Sequence, residues 1–72
     1  MEHMERYMMV EILRIREVLR ITGLGRSSLY AKVARGDFPR PVKIGKRASG
    51  WLSSEVSDWL QSRIAESRKA AA

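Results

Sequence analysis

The segment that decides the fold is a two-glycine turn and the start of the helix that follows it, residues 22–30 with the sequence TGLGRSSLY. Two glycines within three residues predict a tight turn, because glycine adopts backbone conformations that other residues avoid. Leu24, the apolar side chain of that turn, is expected to fill the space between the helices on either side. The segment therefore predicts two short helices joined by a three-residue turn.

A first helix is predicted immediately before this turn. Residues at the spacing of one helical face carry side chains suited to burial: Ile15, Val18, Leu19 and Thr22. Gly23 follows them as the positive-φ residue that ends many helices. Upstream, residues 11–15 form a short segment with β-branched side chains, which allows either a brief strand or an earlier start of this helix.

The second helix is predicted over residues 26–35, with Gly25 as its N-cap and Gly36 as its end. Its apolar stripe is thin, since only Leu29 and Val33 mark it, and most of its surface is expected to face outward. Residues 37–41 (DFPRP) contain two prolines and cannot continue the helix. The second helix is therefore the element most exposed to a partner.

A β hairpin with a basic tip is predicted next. Residues 42–44 alternate as a strand, residues 45–50 form a glycine-bounded loop, and residues 51–52 are extended again. Ser53 is expected to cap a closing helix that runs to about Ser67. The apolar face of that helix comprises Leu52, Val56, Trp59, Leu60 and Ile64.

These elements predict a mainly α single domain with a small β hairpin, a winged helix-turn-helix. The domain is expected to cover residues 11–67, between a flexible N-terminal arm at residues 1–10 and a flexible C-terminal tail at residues 68–72. Trp51 and Trp59 are expected to be core residues.

Composition excludes most chemistry. The chain has 72 residues, no cysteine and a single histidine, His3, near the N-terminus. Disulfides, thiolate metal sites and His-based relays are therefore not expected, and neither catalytic residues nor cofactors nor a metal site nor a small-molecule substrate are predicted. The apolar runs are too short for a membrane span or a signal-peptide core, so the domain is expected to be soluble and cytoplasmic, and nucleoid-associated when bound to DNA.

The net charge of +6 is concentrated in the middle of the sequence. Between Arg26 and Arg47 there are seven basic residues and one acid, Asp37, whereas the rest of the chain is balanced. Basic side chains that neutralise phosphates release condensed counterions, so nucleic acid is the expected partner. The alternative is that the excess charge serves solubility alone.

Four ordered motifs resemble the AlpA family of prophage regulators, which looks related to MerR-type winged helices and phage excisionases. They lie at residues 12–18 (ILRIREV), 22–30 (TGLGRSSLY), 38–45 (FPRPVKIG) and 50–60, where GW precedes EVSDWL. The resemblance covers roughly residues 12–64. It implies binding to double-stranded DNA by a small transcription regulator of a prophage or mobile element.

The resemblance also implies the DNA-contacting residues, on the second helix and on the wing: Arg26, Ser27, Ser28, Tyr30, Lys43, Lys46 and Arg47. Lys32 and Arg35 are expected to be either DNA-backbone contacts or plain solvated charges. Arg26 suits a phosphate or a guanine edge, and Lys46 and Arg47 suit the backbone or the minor groove. For each of these residues a purely structural or solvating role stays open.

The function expected from these features is sequence-specific binding, with the second helix in the major groove and the wing on the neighbouring backbone or minor groove. One alternative is an excisionase-like factor that bends DNA at an attachment site. Another is a protein-interaction adaptor that binds a partner helix. Self-association on repeated DNA sites is also expected, because one small domain offers one recognition helix.

Overall fold

The computed structural model describes residues 11–71. The predicted N-terminal arm, His3 and the final residue of the predicted tail lie outside these residues. In chain order the elements are β1 (Ile12–Leu13), α1 (Ile15–Thr22), α2 (Arg26–Arg35), β2 (Val42–Lys43), β3 (Ser49–Leu52) and α3 (Ser53–Ala71). Helices α1 and α2 form the helix-turn-helix, and the β2–β3 hairpin forms the wing of a winged helix-turn-helix.

The two helices of the helix-turn-helix begin and end where the sequence predicts. Helix α1 ends at Gly23, whose φ is 75° and whose amide donates to the Leu19 carbonyl oxygen at 2.9 Å. Helix α2 follows Gly25, which has extended backbone, and ends at Gly36 with a φ of 80°. Positive φ is strained for residues with a Cβ atom, so glycine stops both helices at a defined residue.

The sheet has three antiparallel strands in the order β1-β3-β2, one more strand than the hairpin alone. Strand β1 resolves the ambiguity at residues 11–15: Leu13 is opposite Trp51, and Ile12 is opposite Leu52. The Ser53 amide also donates to the Glu11 carbonyl oxygen at 2.8 Å, and the Glu11 amide donates to Ser53 Oγ at 3.0 Å. These bonds tie the first described residues to the start of α3.

The wing loop is shorter than predicted. Strand β3 begins at Ser49, so the expected loop over residues 45–50 is wrong in its last two residues. The tip is closed by the Ala48 carbonyl oxygen, which accepts the amides of Ile44 at 2.9 Å and Gly45 at 3.2 Å. Gly50 is buried within β3, where a Cβ atom would lie 2.5 Å from Ile12 Cγ2 and 2.8 Å from the Leu13 carbonyl oxygen. Gly50 is therefore required by the close approach of β1.

The core is small and draws on every helix. Its fully buried side chains are Val18, Leu29, Phe38, Trp51 and Val56. Half-buried apolar side chains pack around them, namely Leu13, Ile15, Leu19, Leu24, Val33, Trp59 and Leu60. The predicted core roles of Leu24, Leu29 and Trp51 are confirmed, while Trp59 is half-buried at the edge of the core.

Helix α3 is longer than predicted. It continues past Ser67 to Ala71, so it includes most of the segment expected to be a tail. Arg, Lys and Ala have high helix propensities, which favours the extension of a helix that is already formed by packing at its start. Ile64, expected on the apolar face, is 47% exposed because α3 has extended beyond the core at that point. Ser53 is expected to cap this helix, but it is the first helical residue, and its hydroxyl accepts the Glu11 amide.

Candidate nucleic-acid interface

Helix α2 presents its polar side to solvent. Leu29 is fully buried and fixes the inner face of the helix, while Val33 is half-buried beside it. The residues at the helix start that the sequence predicts as DNA contacts are all exposed: Arg26, Ser27, Ser28 and Tyr30. Among the residues the structure describes, the first turn of α2 carries no acidic side chain. Its amide-rich N-terminus therefore faces solvent with a cation and two hydroxyls, a combination suited to an anion.

The wing supplies a second basic surface. Lys43, at the end of β2, is exposed, and so are Lys46 and Arg47 at the tip. Lys46 and Arg47 are adjacent residues of a short tip, which main-chain hydrogen bonds between Ile44 and Ala48 close. All three wing residues predicted from the sequence thus reach solvent, as DNA contact requires.

Most of the predicted basic contacts have no ion pair within the described residues. Within residues 11–71 the ion pairs join Arg20 to Glu17, Arg35 to Asp37, and Arg63 to Glu66. None of them involves the predicted contacts Arg26, Lys32, Lys43, Lys46 or Arg47. The exposed positive charge of α2 and the wing is therefore left without acidic partners in the described part of the chain.

Arg35 differs from the other predicted contacts. Its Nε atom lies 3.1 Å from Asp37 Oδ2, and both side chains are about 60% exposed. An ion pair so exposed contributes about 0–1 kcal/mol, so Arg35 can still exchange partners. The nearby carboxylate nevertheless offsets its charge, which makes Arg35 the weakest of the predicted phosphate contacts. Lys32 is half-buried, with its charge at the end of a partly covered side chain.

The ion pair on α1 is a local surface feature. The hydrogen bond from Arg20 lowers the pKa of Glu17, and the same bond raises the pKa of Arg20. Both groups are solvent-exposed and lie three residues apart on one helix. The charge of Arg20, which lies on α1, is therefore already paired with a carboxylate.

The connection between α2 and the wing is anchored by both tryptophans. We call residues 36–41 the anchored connection: Trp59 Nε1 donates to the Asp37 carbonyl oxygen at 2.5 Å, and Trp51 Nε1 donates to that of Pro39 at 2.7 Å. The buried Phe38 ring makes edge contacts with Trp51 and Trp59, at centroid distances of 6.4 and 4.8 Å. The sequence carried no signal for the two indole hydrogen bonds.

A groove of about 390 Å³ lies on another part of the surface. It is lined by residues of α1, α3 and the β1 region, including Leu13, Ile21 and Leu60, and its rim carries Glu11 and Glu17. None of its lining residues belongs to α2 or the wing. Two carboxylates at its rim make it unsuited to a polyanion, so the basic surface is the better nucleic-acid interface.

Other kinds of site find no support in the part of the chain that the structure describes. Among residues 11–71 no group of three or more His, Cys, Asp or Glu side chains is placed to hold a metal ion. No helix in the same range is long and apolar enough to cross a membrane.

Comparisons with known proteins give a matching family and two relatives. Residues 11–64 match the family model described as prophage CP4-57 regulatory protein (AlpA). The uncharacterized protein ORF88 of enterobacteria phage P4 is 43% identical over 53 residues, which cover 74% of this chain and 60% of that protein. The DNA-binding transcriptional activator AlpA of Escherichia coli K12 is 35% identical over 60 residues, covering 75% of this chain and 86% of the relative. The chain thus spans less than two thirds of the phage P4 protein.

Proposed function

The chain belongs to the AlpA family of prophage regulatory proteins, and from that premise we propose that it is a sequence-specific DNA-binding regulator of transcription. In this proposal α2 enters the major groove and the wing lies on the adjacent backbone or in the minor groove. The protein acts by occupying DNA and has no catalytic role.

The observation that carries the proposal is the exposed basic surface shared by α2 and the wing. Five of its cations have no acidic partner within residues 11–71: Arg26, Lys32, Lys43, Lys46 and Arg47. The like charges of such a surface repel one another, and a bound polyanion neutralises them. Its two parts also belong to the elements that contact DNA in winged helix-turn-helix proteins.

The roles within the surface follow from side-chain chemistry. Arg26 stands at the start of α2, and arginine forms two hydrogen bonds with a guanine edge. Ser27 and Ser28 are short, so their hydroxyls and amides let the DNA backbone approach closely. Tyr30, which is 47% exposed, offers its hydroxyl to a phosphate. Lys43, Lys46 and Arg47 hold phosphates on the wing side, with Lys32 and Arg35 as further backbone contacts.

The experiment that tests the proposal is a footprint of the purified protein on the DNA that flanks its own gene. A protected site that a scrambled duplex does not reproduce would establish sequence-specific binding. Equal affinity for every duplex, or binding that does not weaken as salt is added, would contradict the proposal. A bending assay on the protected site then separates a promoter-bound regulator from a factor that acts by deforming DNA.

The alternative of a protein-interaction adaptor predicts a different result when DNA binding is measured. An adaptor that used exposed α2 to bind a partner helix would show little affinity for DNA and weak salt dependence of partner binding. The lack of acidic partners around the α2 and wing cations favours DNA over a partner helix.

A further inference from the structure

We propose that Arg40 is a further DNA contact, an inference that rests on the proposed function. Its side chain would bind a phosphate, and the anchored connection between α2 and the wing would hold it in place. Arg40 belongs to neither the helix nor the hairpin. It lies between Pro39 and Pro41, in the short segment that joins the two DNA-binding elements.

The backbone on the N-terminal side of Arg40 is fixed by the core. The Pro39 carbonyl oxygen, which belongs to the peptide group leading into Arg40, accepts Trp51 Nε1 at 2.7 Å. Two residues earlier, the Asp37 carbonyl oxygen accepts Trp59 Nε1 at 2.5 Å. Phe38 is buried between these two points with its ring against both indoles. Arg40 therefore extends from a segment held by two hydrogen bonds and a buried aromatic ring.

The prolines restrict the same segment further. The ring of Pro39 fixes its φ angle, and Pro41 disfavours helical backbone at Arg40 itself. A segment with so few accessible conformations loses little backbone entropy when it binds. Arg40 thus combines a constrained backbone with a long side chain that can still adjust to a phosphate.

Charge distinguishes Arg40 from the neighbouring arginine. Arg35 pairs with Asp37, the acid of the anchored connection, whereas Arg40 is exposed and has no ion pair within residues 11–71. Lys43 follows three residues later, about 10 Å along an extended chain, which is close to one Debye length at 0.1 M salt. Arg40 therefore adds an unpaired cation between α2 and the wing in the sequence.

Phosphate is the group that this environment fits best. A guanidinium donates two parallel hydrogen bonds to a phosphate, and it holds its charge at every relevant pH. Because Arg40 is itself a cation, it would repel a cationic ligand. A base-reading role is not proposed, because Arg40 lies outside the helix that enters the groove.

The first test is a salt titration of binding to a random-sequence duplex. Each phosphate contact contributes about 0.9 to the slope of log affinity against log salt, so Arg40→Ala should flatten the slope by about 0.9. Arg40→Lys should keep most of it. Arg68→Ala is the matched control, an exposed arginine near the end of α3 that also lacks an ion pair in the described range, and it should leave the slope unchanged.

The outcomes separate this inference from the proposed function. An unchanged slope for Arg40→Ala, in a protein whose Lys46 and Arg47 variants do lose slope, overturns the role of Arg40 and leaves DNA binding intact. A parent protein with no salt-dependent affinity for any duplex overturns both. Melting temperatures of the variants, measured by circular dichroism, verify that each is folded.

A second test addresses the anchored connection. Trp59→Phe keeps an aromatic ring against Phe38 but removes the indole N–H that binds the Asp37 carbonyl oxygen. If the connection positions Arg40, this change should weaken duplex binding several-fold in the parent and much less in Arg40→Ala, because the two changes act on one contact. The same fold-loss in both backgrounds would show that Trp59 does not act through Arg40.

Discussion

Arg26 is the residue that we propose to read a base edge. It is the first residue of α2, it is exposed, and it has no ion pair within residues 11–71. Arg26→Ala should weaken binding to the footprinted site by about 1–3 kcal/mol, the usual worth of a bidentate arginine contact with guanine. The measurement is the affinity of parent and variant for the specific duplex and for a scrambled one.

The specific duplex is the informative partner in that comparison. Equal losses on both duplexes would reduce Arg26 to a phosphate contact, since phosphates carry no sequence information. Arg68→Ala again provides the control, because it removes one exposed positive charge without touching α2.

Gly50 is the residue on which packing of the small sheet depends. Gly50→Ala should destabilise the domain by about 1–3 kcal/mol, because the new Cβ would meet Ile12 Cγ2 at 2.5 Å and the backbone oxygen of Leu13 at 2.8 Å. Gly45→Ala is the matched control in the wing, where a Cβ lies 3.7 Å from that of Ala48, an ordinary contact. Urea denaturation of both variants checks the difference, and equal stabilities would show that β1 adapts freely.

At the scale of elements, α1 and α2 were predictable because their signals are local. Gly23 and Gly36 adopt the positive φ that their positions after an amphipathic stretch suggest, and Leu29 marks the inner face of α2. The wing loop was predicted too long because the role of Gly50 depends on β1, a strand distant in sequence that packs against it. A two-residue strand such as β1 has no periodicity of its own to announce it.

The candidate interface likewise has features that the sequence could predict and features that it could not. The exposure of Arg26, Tyr30 and the wing cations could be predicted, since α2 has a thin apolar stripe and the hairpin tip is polar. The pairing of Arg35 with Asp37 and the anchoring next to Arg40 could not, because both depend on how the chain turns after α2. Sequence therefore predicts a candidate interface, and the structure shows which of its charges are unpaired within residues 11–71.

The wing as an element is expected to hold phosphates without reading sequence. Replacing both Lys46 and Arg47 with Ala should weaken specific and random duplexes alike and flatten the salt slope by about 1.8, about 0.9 for each lost phosphate contact. The tip hydrogen bonds to the Ala48 carbonyl oxygen come from main-chain amides, so the double variant should keep its fold.

Two results would change this view of the wing. An unchanged slope would mean that the tip does not touch the backbone. A loss confined to the specific duplex would mean that the wing reads the sequence or width of the minor groove. The titration therefore requires both duplexes and both proteins over the same salt range.

At the scale of the whole molecule, the charged residues are unevenly distributed. Within residues 11–71, unpaired cations lie on α2, the anchored connection and the wing, and also on α1 and α3, whereas Glu11 and Glu17 line the groove formed by β1, α1 and α3. We expect the excess positive charge between Arg26 and Arg47 to orient that part of the molecule toward DNA before contact, because the field of a polyanion acts on an uneven charge distribution.

One recognition helix in each chain sets the expected mode of assembly. A single α2 contacts too few base pairs for useful specificity, so we predict that the protein is a monomer in solution and that several copies assemble on repeated half-sites. Sedimentation of the free protein should give one 8.2 kDa species, and a duplex with two half-sites one helical turn apart should bind two copies. Moving the half-sites apart by half a turn places the second copy on the opposite side of the duplex and should remove any cooperativity between the copies. A stable dimer at micromolar concentration without DNA would contradict the prediction, because assembly would then precede recognition.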